Sequence, residues 1–173
     1  HTPEGVFNGS CIDRNTSVVC VDIARAGMLP AQVCFDTLNH VLEPAGVRQD
    51  HLVMNRVTNE SGQVTGARIF GEKTGGSVDG RVLLFPDPMG ATGTSLIKAI
   101  NFYKETAGGT PSRIITMNLI VTPEFVQNVL RAHPDEVIAI EAMVGKQGGV
   151  LGAVAGMTMS TDTLIAHELV QLS

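Results

Sequence analysis

The chain has 173 residues, of which 43% are hydrophobic and 17% charged, and its formal net charge is -5. This composition predicts one folded globular domain over residues 1–173. It argues against nucleic-acid binding, because Lys and Arg form no dense basic cluster and the sequence has no Trp and one Tyr. We also expect no membrane association, since no apolar run reaches the roughly 18 residues of a membrane span.

The first half of the sequence predicts two strands separated by a helix. Residues 17–23 (SVVCVDI) are a short, β-branched apolar run typical of a buried strand, and a small-residue turn covers 24–28. Pro30 opens a helical pattern that Gly46 ends. Residues 51–57 (HLVMNRV) predict another strand.

A segment rich in Gly, Thr and Ser follows at 58–80, with one possible strand at 63–71. We interpret this segment as a flexible arm or hairpin. Strands and helices then alternate: a strand at 82–85, a helix at 95–106, a strand at 113–121, a helix at 123–133 and a strand at 136–142.

This alternation predicts an α/β fold with a mostly parallel sheet flanked by helices on both faces. Ligands of such sheets bind beyond the carboxyl ends of the strands. The predicted binding loops are therefore 24–30, 87–95 and the segment after Ala142.

Three cysteines, Cys11, Cys20 and Cys34, include no CxxC pair, and an odd number cannot pair completely. We interpret them as buried, reduced thiols of a cytoplasmic protein. The first four residues resemble neither a signal peptide nor a natural beginning, so we expect further residues upstream.

The loop at 87–95 has the composition of a phosphate-binding loop between a strand and a helix. Its small side chains let backbone N–H groups approach phosphate oxygens, and Gly90 and Gly93 permit positive φ. The helix directs its unpaired N–H groups and positive dipole end at an anion. Further donors are the hydroxyls of Thr92, Thr94 and Ser95.

Asp87, at the end of the preceding strand, can accept hydrogen bonds from the hydroxyls of a sugar beside that phosphate. The alternative is a simple strand-to-helix turn with a good N-cap. The loop is neither a Walker loop, since Thr94 stands where a Lys is required, nor a dinucleotide fingerprint, since GxGxxG is absent.

The segment DPMGATGTS resembles the DPM-x-ATG-x-S motif by which uracil phosphoribosyltransferases, a branch of the type I phosphoribosyltransferases, bind phosphoribosyl diphosphate (PRPP). Most type I families carry two adjacent acids here, whereas this branch carries Asp-Pro. The resemblance implies a PRPP site formed by Asp87, Pro88, Met89, Gly90, Ala91, Thr92, Gly93, Thr94 and Ser95.

Two further segments resemble the same family. DIARAGMLP (22–30) is similar to its first active-site loop, which implies that Arg25, Ala26 and Gly27 meet the diphosphate of PRPP. VMNRVTNE (53–60) is similar to a strand whose Arg contacts PRPP, which implies that role for Arg56. The alternative for either Arg alone is a solvated surface charge.

The resemblance covers residues 17–143 and implies the transfer of phosphoribosyl from PRPP to uracil, giving UMP and diphosphate. Arg25, Arg56 and Asp87 would be the catalytic residues. Mg²⁺ would arrive on PRPP oxygens rather than in a protein metal site, because one carboxylate makes a poor cage. The family also implies a homodimer or larger homo-oligomer. His133 would lie in a turn and bind no metal.

The C-terminal segment departs from the family. In the family, the loop that binds uracil carries an Asp that helps to hold PRPP. In this chain that position falls on Ala153, within the glycine-rich segment 150–156. Because backbone N–H and C=O groups can read the edge of uracil, we place Gly152 and Ala153 in the base pocket. Three explanations stay open: residues absent near 146–149, a loop that accepts another base, or a PRPP- or nucleotide-binding regulator that has lost catalysis.

Overall fold

A computed structural model describes residues 12–59, 61, 64–136, 138–147 and 150–153. The strands are β1 (Val18–Ala24), β2 (Val47–Thr58), β3 (Val64–Lys73), β4 (Val82–Pro86), β5 (Met89–Gly90), β6 (Arg113–Val121), β7 (Ile138–Gln147) and β8 (Val150–Ala153). The α-helices are α1 (Met28–Val41), α2 (Thr94–Thr106) and α3 (Pro123–Ala132).

The strands form one eight-stranded sheet in the order β3-β2-β1-β4-β6-β7-β8, and β5 pairs with the end of β6. The five central strands, β2, β1, β4, β6 and β7, run parallel, whereas the edge strands β3 and β8 run antiparallel to their neighbours. The predicted α/β fold with a mostly parallel sheet is confirmed. The carboxyl ends of β1, β4 and β6 therefore meet at one edge of the sheet.

Helices cover both faces of the sheet, as predicted. In β1, Val19, Val21 and Ile23 belong to the apolar cluster that includes residues of α2 and α3. Val18 and Cys20 belong to a second cluster, under α1. Because each fully buried side chain of this size contributes about 1.5–3 kcal/mol, a parallel strand apolar on both faces is strongly fixed within the sheet.

The local sequence explains where two helices begin. α3 starts behind Thr122, whose side-chain oxygen accepts a hydrogen bond from the Phe125 N–H at 3.0 Å, and Pro123 occupies its first turn. α1 starts at Met28, two residues before the predicted Pro30. A proline is tolerated in that first turn because the N–H it lacks has no partner within the helix.

Strand lengths differ from the predictions where pairing extends them. β2 begins at Val47 rather than at residue 51, because its first seven residues pair with β1. β7 continues to Gln147 rather than ending at residue 142, and β8 follows it as an antiparallel partner. Hydrogen bonds to a neighbouring strand extend these segments beyond their apolar runs.

The predicted arm is a hairpin of β2 and β3, which confirms that interpretation. The base of the hairpin, at the end away from its turn, is attached to the body by Asp50, which is fully buried. The Asp50 carboxylate accepts hydrogen bonds from the Gly75 N–H at 3.0 Å, from the Tyr103 hydroxyl at 2.9 Å and from the Arg48 Nε at 2.9 Å. This network fixes the chain that leaves β3.

Cys20 is buried and Cys34 half-buried, and both are free thiols. Burial is the main cause that raises the pKa of Cys20, to about 12, and it also raises the pKa of Cys34. Cys11 lies outside the described residues. In the described part of the chain, every helix is too short or too polar to cross a membrane.

Candidate active site

The loop between β4 and α2 is attached to β6 from its first residue. The Asp87 N–H donates to the Met117 carbonyl at 2.9 Å, and β5 then pairs with the last two residues of β6. Asp87 Oδ1 accepts a hydrogen bond from the Met89 N–H at 3.1 Å, which closes a tight turn around Pro88. The carboxylate therefore lies at the carboxyl end of β4, where the sequence predicts it.

A cavity of about 160 Å³ opens beside this loop. Eight of the nine residues of the motif line it, Gly90 being the exception, and Ala26 of the first predicted loop joins them. The structure thus brings together the two loops that the sequence predicts to share a ligand. The remaining lining residues are Ile23, Gly66, Phe85, Leu96, Thr116, Asn118 and Phe125.

α2 begins behind a glycine rather than behind a capping side chain. Gly93 is its N-cap, with a left-handed φ of 78°, which confirms the predicted positive φ. Thr92 Oγ1 and Thr94 Oγ1 are 2.9 Å apart, so hydroxyl groups gather at this end of the helix. A helix start without a side-chain cap, facing a cavity, suits an anion better than a simple capped turn.

Gly90 is required for a different reason than the one predicted. It lies outside the left-handed region, so its freedom to adopt positive φ is not used there. An added Cβ would lie 2.8 Å from the ring of Phe125, so only glycine fits against that ring. At Gly93 an added Cβ would also lie 2.9 Å from Val129 Cγ2. The loop is thus pressed onto α3.

Side chains of α3 and its N-cap hold the loop backbone. The Thr122 N–H donates to the Gly90 carbonyl at 2.9 Å, and the Thr122 hydroxyl donates to the Ala91 carbonyl at 2.5 Å. Further along the helix, Asn128 Nδ2 donates to the Thr92 carbonyl at 3.0 Å. Three successive carbonyls of the loop are therefore fixed, so its backbone is held in place against α3.

The first predicted loop is a tight turn at the end of β1. The peptide bond between Ala24 and Arg25 is cis, and the Arg25 side chain is exposed. The Gly27 N–H donates to the Ile23 carbonyl at 3.0 Å. An added Cβ at Gly27 would lie 2.9 Å from backbone atoms of Ile23 and 3.1 Å from the Pro86 carbonyl oxygen. Glycine therefore allows this turn to pack directly against β4.

Arg56 lies in the outer half of β2, opposite Ala67 of β3. The next pair along the hairpin is Val57 with Gly66, and Gly66 lines the cavity. The backbone of Arg56 is therefore close to the cavity on the hairpin side. Its contact with a ligand stays a prediction.

Gly152 and Ala153, predicted to meet the base, belong to β8 at one edge of the sheet. Gly152 pairs with Gly145, Gly145 with Val121, and Val121 with Gly90. Three strand spacings of about 4.8 Å separate Gly152 from Gly90 by roughly 14 Å. The prediction of a loop is wrong for these two residues, because pairing with β7 makes them part of a strand. Their role in binding the base stays a prediction.

The charges around the cavity favour an anion. A wider groove of about 430 Å³ adjoins it, and Thr92 and Thr94 line both. Lys98 and Arg131 border this groove, and none of its lining residues is acidic. Among the residues that the structure describes, Asp87 alone contributes a carboxylate to the lining of the cavity, and no three His, Cys, Asp or Glu form a cluster suited to a metal ion.

Comparison with known proteins identifies the family. The family described as uracil phosphoribosyltransferase matches residues 1–147. The chain belongs to the uracil phosphoribosyltransferase family. The uracil phosphoribosyltransferase of Roseiflexus sp. strain RS-1 is 30% identical over 142 residues, which are 82% of this chain and 61% of that protein. The chain therefore spans about 60% of the length of this relative.

Solved structures share the type I phosphoribosyltransferase fold. The AQ2163 protein from Aquifex aeolicus has a TM-score of 0.55 and 19% identity, over 80% of this chain and 60% of that one. The adenine phosphoribosyltransferase from Trypanosoma brucei, solved with AMP, pyrophosphate and ribose-5-phosphate, has a TM-score of 0.53 and 12% identity. The match covers 91% of this chain and 70% of that one. At these identities the likeness extends to the fold alone.

For this member of the uracil phosphoribosyltransferase family, sequence reasoning predicted the loop but missed the residues that hold it. Thr116 and Asn118 had a signal, because they are polar residues at alternate positions of an otherwise apolar strand. Thr122 also had one, as a hydroxyl residue directly before a predicted helix. Nothing in the local sequence distinguishes Asn128 or Phe125 from ordinary helix residues.

Proposed function

We propose that this chain transfers the phosphoribosyl group of PRPP to uracil, giving UMP and diphosphate. The observation that supports this most is the single cavity lined by Ala26 and by eight residues of the loop 87–95. A ligand there meets small residues, hydroxyl groups, a helix N-terminus and one carboxylate. A sugar carrying a phosphate needs these partners, and the family of the chain provides the reaction class.

In the proposed reaction the bond from the ribose carbon to diphosphate breaks as a bond to a uracil nitrogen forms, and that nitrogen releases its proton. Positive charge develops on the ribose ring and negative charge on the departing diphosphate. The protein then acts mainly by positioning and by electrostatic support of that diphosphate. We assign this support to Arg25, Arg56 and the backbone of 26–27, and we assign the 5′-phosphate to residues 92–95.

Asp87 is the proposed partner of the ribose hydroxyls. Its position at the end of β4 and beside α2 agrees with this role, since a phosphate at the helix would leave the ribose next to β4. We propose Mg²⁺ as the cofactor, held mostly by oxygens of PRPP because Asp87 is the single carboxylate among the described residues that line the cavity. When bound, Mg²⁺ would neutralise charge on the leaving diphosphate.

The base would be read by backbone groups near Gly152 and Ala153. Because Ala153 stands where the family resemblance predicts an Asp, two other functions stay in view. One is a PRPP- or nucleotide-binding regulator without turnover, and the other is a phosphoribosyltransferase for a different base. Both use the same cavity and differ in what happens after PRPP binds.

We further propose a homodimer or a larger homo-oligomer in the cytoplasm. Apolar side chains of α1 and β6 are exposed in the single chain, among them Leu29 at 74% and Leu119 at 54%. Such exposure favours a protein partner, and the free thiols of Cys20 and Cys34 suit a reducing compartment. Sedimentation equilibrium should give at least twice the chain mass; a monomer at micromolar concentration would exclude the assembly.

The deciding experiment measures conversion of radiolabelled uracil to UMP with PRPP and Mg²⁺, together with calorimetric binding of PRPP. We expect turnover with uracil in preference to hypoxanthine, whose second ring needs more room. Asp87→Asn should weaken PRPP binding. Binding without turnover of either base would indicate the regulator, turnover with a purine alone would indicate another base, and no PRPP binding at all would reject the proposed function.

Arg25→Ala tests the role of the first loop. Arg25→Ala removes a charge-assisted contact that strengthens in the transition state. By analogy with loss of an oxyanion donor, this should raise the activation free energy by about 2–4 kcal/mol, which lowers kcat/KM roughly 30- to 900-fold. The unfolding free energy should hardly change, because Arg25 is exposed. Arg113→Ala, an exposed Arg at the opposite end of the strands, is the matched control. If the two variants have equal kcat/KM, Arg25 is only a solvated surface charge.

A further inference from the structure

Two buried polar side chains of β6 face the cavity from below. On the face of β6 that packs toward α2 and α3, Ile114 belongs to the apolar core. The next two residues of that face are Thr116 and Asn118, which are 1% and 6% exposed and line the cavity. Buried polar groups are costly unless they are hydrogen-bonded, so their partners indicate their role.

Asn118 connects Thr116 to the main chain of Asp87. Asn118 Nδ2 donates to the Asp87 carbonyl at 2.8 Å, and the Thr116 hydroxyl donates to Asn118 Oδ1 at 2.9 Å. The Thr116 hydroxyl also lies 3.3 Å from the Phe85 carbonyl. Since it has one proton, the shorter contact to Asn118 is favoured. The Asp87 carbonyl can only accept, so the amide group must turn its NH₂ toward it.

These bonds fix the peptide that carries the Asp87 carboxylate. β4 ends at Pro86, and the N–H of Asp87 is bonded to the Met117 carbonyl at 2.9 Å. With its carbonyl held by Asn118, both sides of the residue are attached to β6. The backbone of Asp87 thus has one orientation, and the hydrogen bond from the Met89 N–H to Asp87 Oδ1 at 3.1 Å then sets the direction of its carboxylate.

We propose that Asn118, oriented by Thr116, is a positioning residue that directs the Asp87 carboxylate toward the ribose hydroxyls of the substrate. This inference rests on the proposed function and adds to it a device that acts on the sugar rather than on the phosphate. The 5′-phosphate is assigned to residues 92–95, whose carbonyl at Thr92 is held by Asn128 of α3 and not by β6. Sugar and phosphate recognition are therefore separable.

The test compares two ligands that differ by the ribose. Ribose 5-phosphate meets both the sugar and the phosphate parts of the site, whereas inorganic phosphate has no ribose and reports on anion binding alone. Asn118→Leu keeps the volume but removes the donor to the half-buried Asp87 carbonyl, so we expect about tenfold weaker binding of ribose 5-phosphate. Thr116→Val should weaken it about threefold, and phosphate binding should change less than twofold in both. Thr116→Ser keeps the hydroxyl and should match the wild type.

A double variant shows whether Asn118 acts through Asp87. Asp87→Asn combined with Asn118→Leu should weaken ribose 5-phosphate binding by less than the product of the single effects. Equal loss of both ligands in Asn118→Leu, or unchanged binding of both, would overturn the inference. If Asn118→Leu fails to fold, Thr116→Val, which is isosteric with Thr, and Thr116→Ser, which keeps the hydroxyl, decide by the same criterion. Wild-type protein that binds neither ligand nor PRPP would instead reject the proposed function itself.

Discussion

The two loops that meet at the cavity are held in different ways. The turn at 25–27 depends on its own backbone, through the bond from Gly27 to Ile23, and on direct packing against β4. The loop at 87–95 depends on side chains that lie far along the sequence, on β6 and α3. A short motif can therefore specify the first loop locally, whereas the second takes its shape only in the assembled fold.

The largest loss of stability is expected from a substitution in the first loop. In Gly27→Ala the new methyl group would meet backbone atoms of Ile23 and Pro86, which cannot move aside as a side chain can. We expect a loss of about 3 kcal/mol in the free energy of unfolding, at the upper end for overpacking. Urea unfolding measures it. Gly71→Ala is the control, because an added Cβ there meets nothing within 4 Å; similar losses in both variants would refute the packing argument.

A smaller loss is expected at the second loop. Gly93→Ala forces a non-glycine residue into a left-handed φ, at a cost of about 1–2 kcal/mol, and it also presses on Val129. Gly76→Ala separates the two causes, since Gly76 has a φ of 98° but open space around it. We expect Gly93→Ala to cost more in unfolding free energy and to weaken PRPP binding by calorimetry, whereas Gly76→Ala leaves binding unchanged. If the two variants lose the same unfolding free energy and bind PRPP equally well, φ strain alone would account for the effect of Gly93→Ala.

The same contrast explains how much the sequence could predict. The apolar runs predicted the six strands from β1 to β7 other than β5, and the motif predicted that 87–95 and Ala26 meet. Local patterns gave no sign of β5 or of the polar end of β7, because β5 exists through pairing with β6 and the end of β7 through pairing with β8. The roles of Asn118 and Asn128 arise from strand register and helix placement, which residues nearby in sequence do not encode.

Asn128→Ala removes a single hydrogen bond from the second loop. The Thr92 carbonyl would lose its donor, and we expect about 1 kcal/mol less stability and weaker binding of inorganic phosphate. Asn39→Ala is a matched control: Asn39 also lies on a helix and donates to a carbonyl, that of Phe35, but within α1. Phosphate titration should separate the two variants. If both bind phosphate as the wild type does, α3 does not shape the phosphate site.

The last and smallest effect is a pH dependence at the end of α3. His133 is 3% exposed, and its Nε2 is buried without a hydrogen-bond partner in the described structure. Burial is the main cause that lowers its pKa, and the Lys104 charge lowers it further, against the opposing effects of Glu136 and of a hydrogen bond with the Ile97 backbone.

The sign of this effect follows from the lowered pKa of His133. Below its ordinary pKa of 6.5 the unfolded chain binds the proton more readily than the folded one, so the unfolding free energy falls as pH drops through that value and is unaffected above it. Urea unfolding between pH 7.5 and 5.5 should show a shallower decline in His133→Gln than in the wild type. His40→Gln, at an exposed His of α1, should keep the wild-type decline. Because α3 holds the loop at 87–95, amide exchange in acid should rise there before it rises at 25–27; equal rises would show that the two loops share one support.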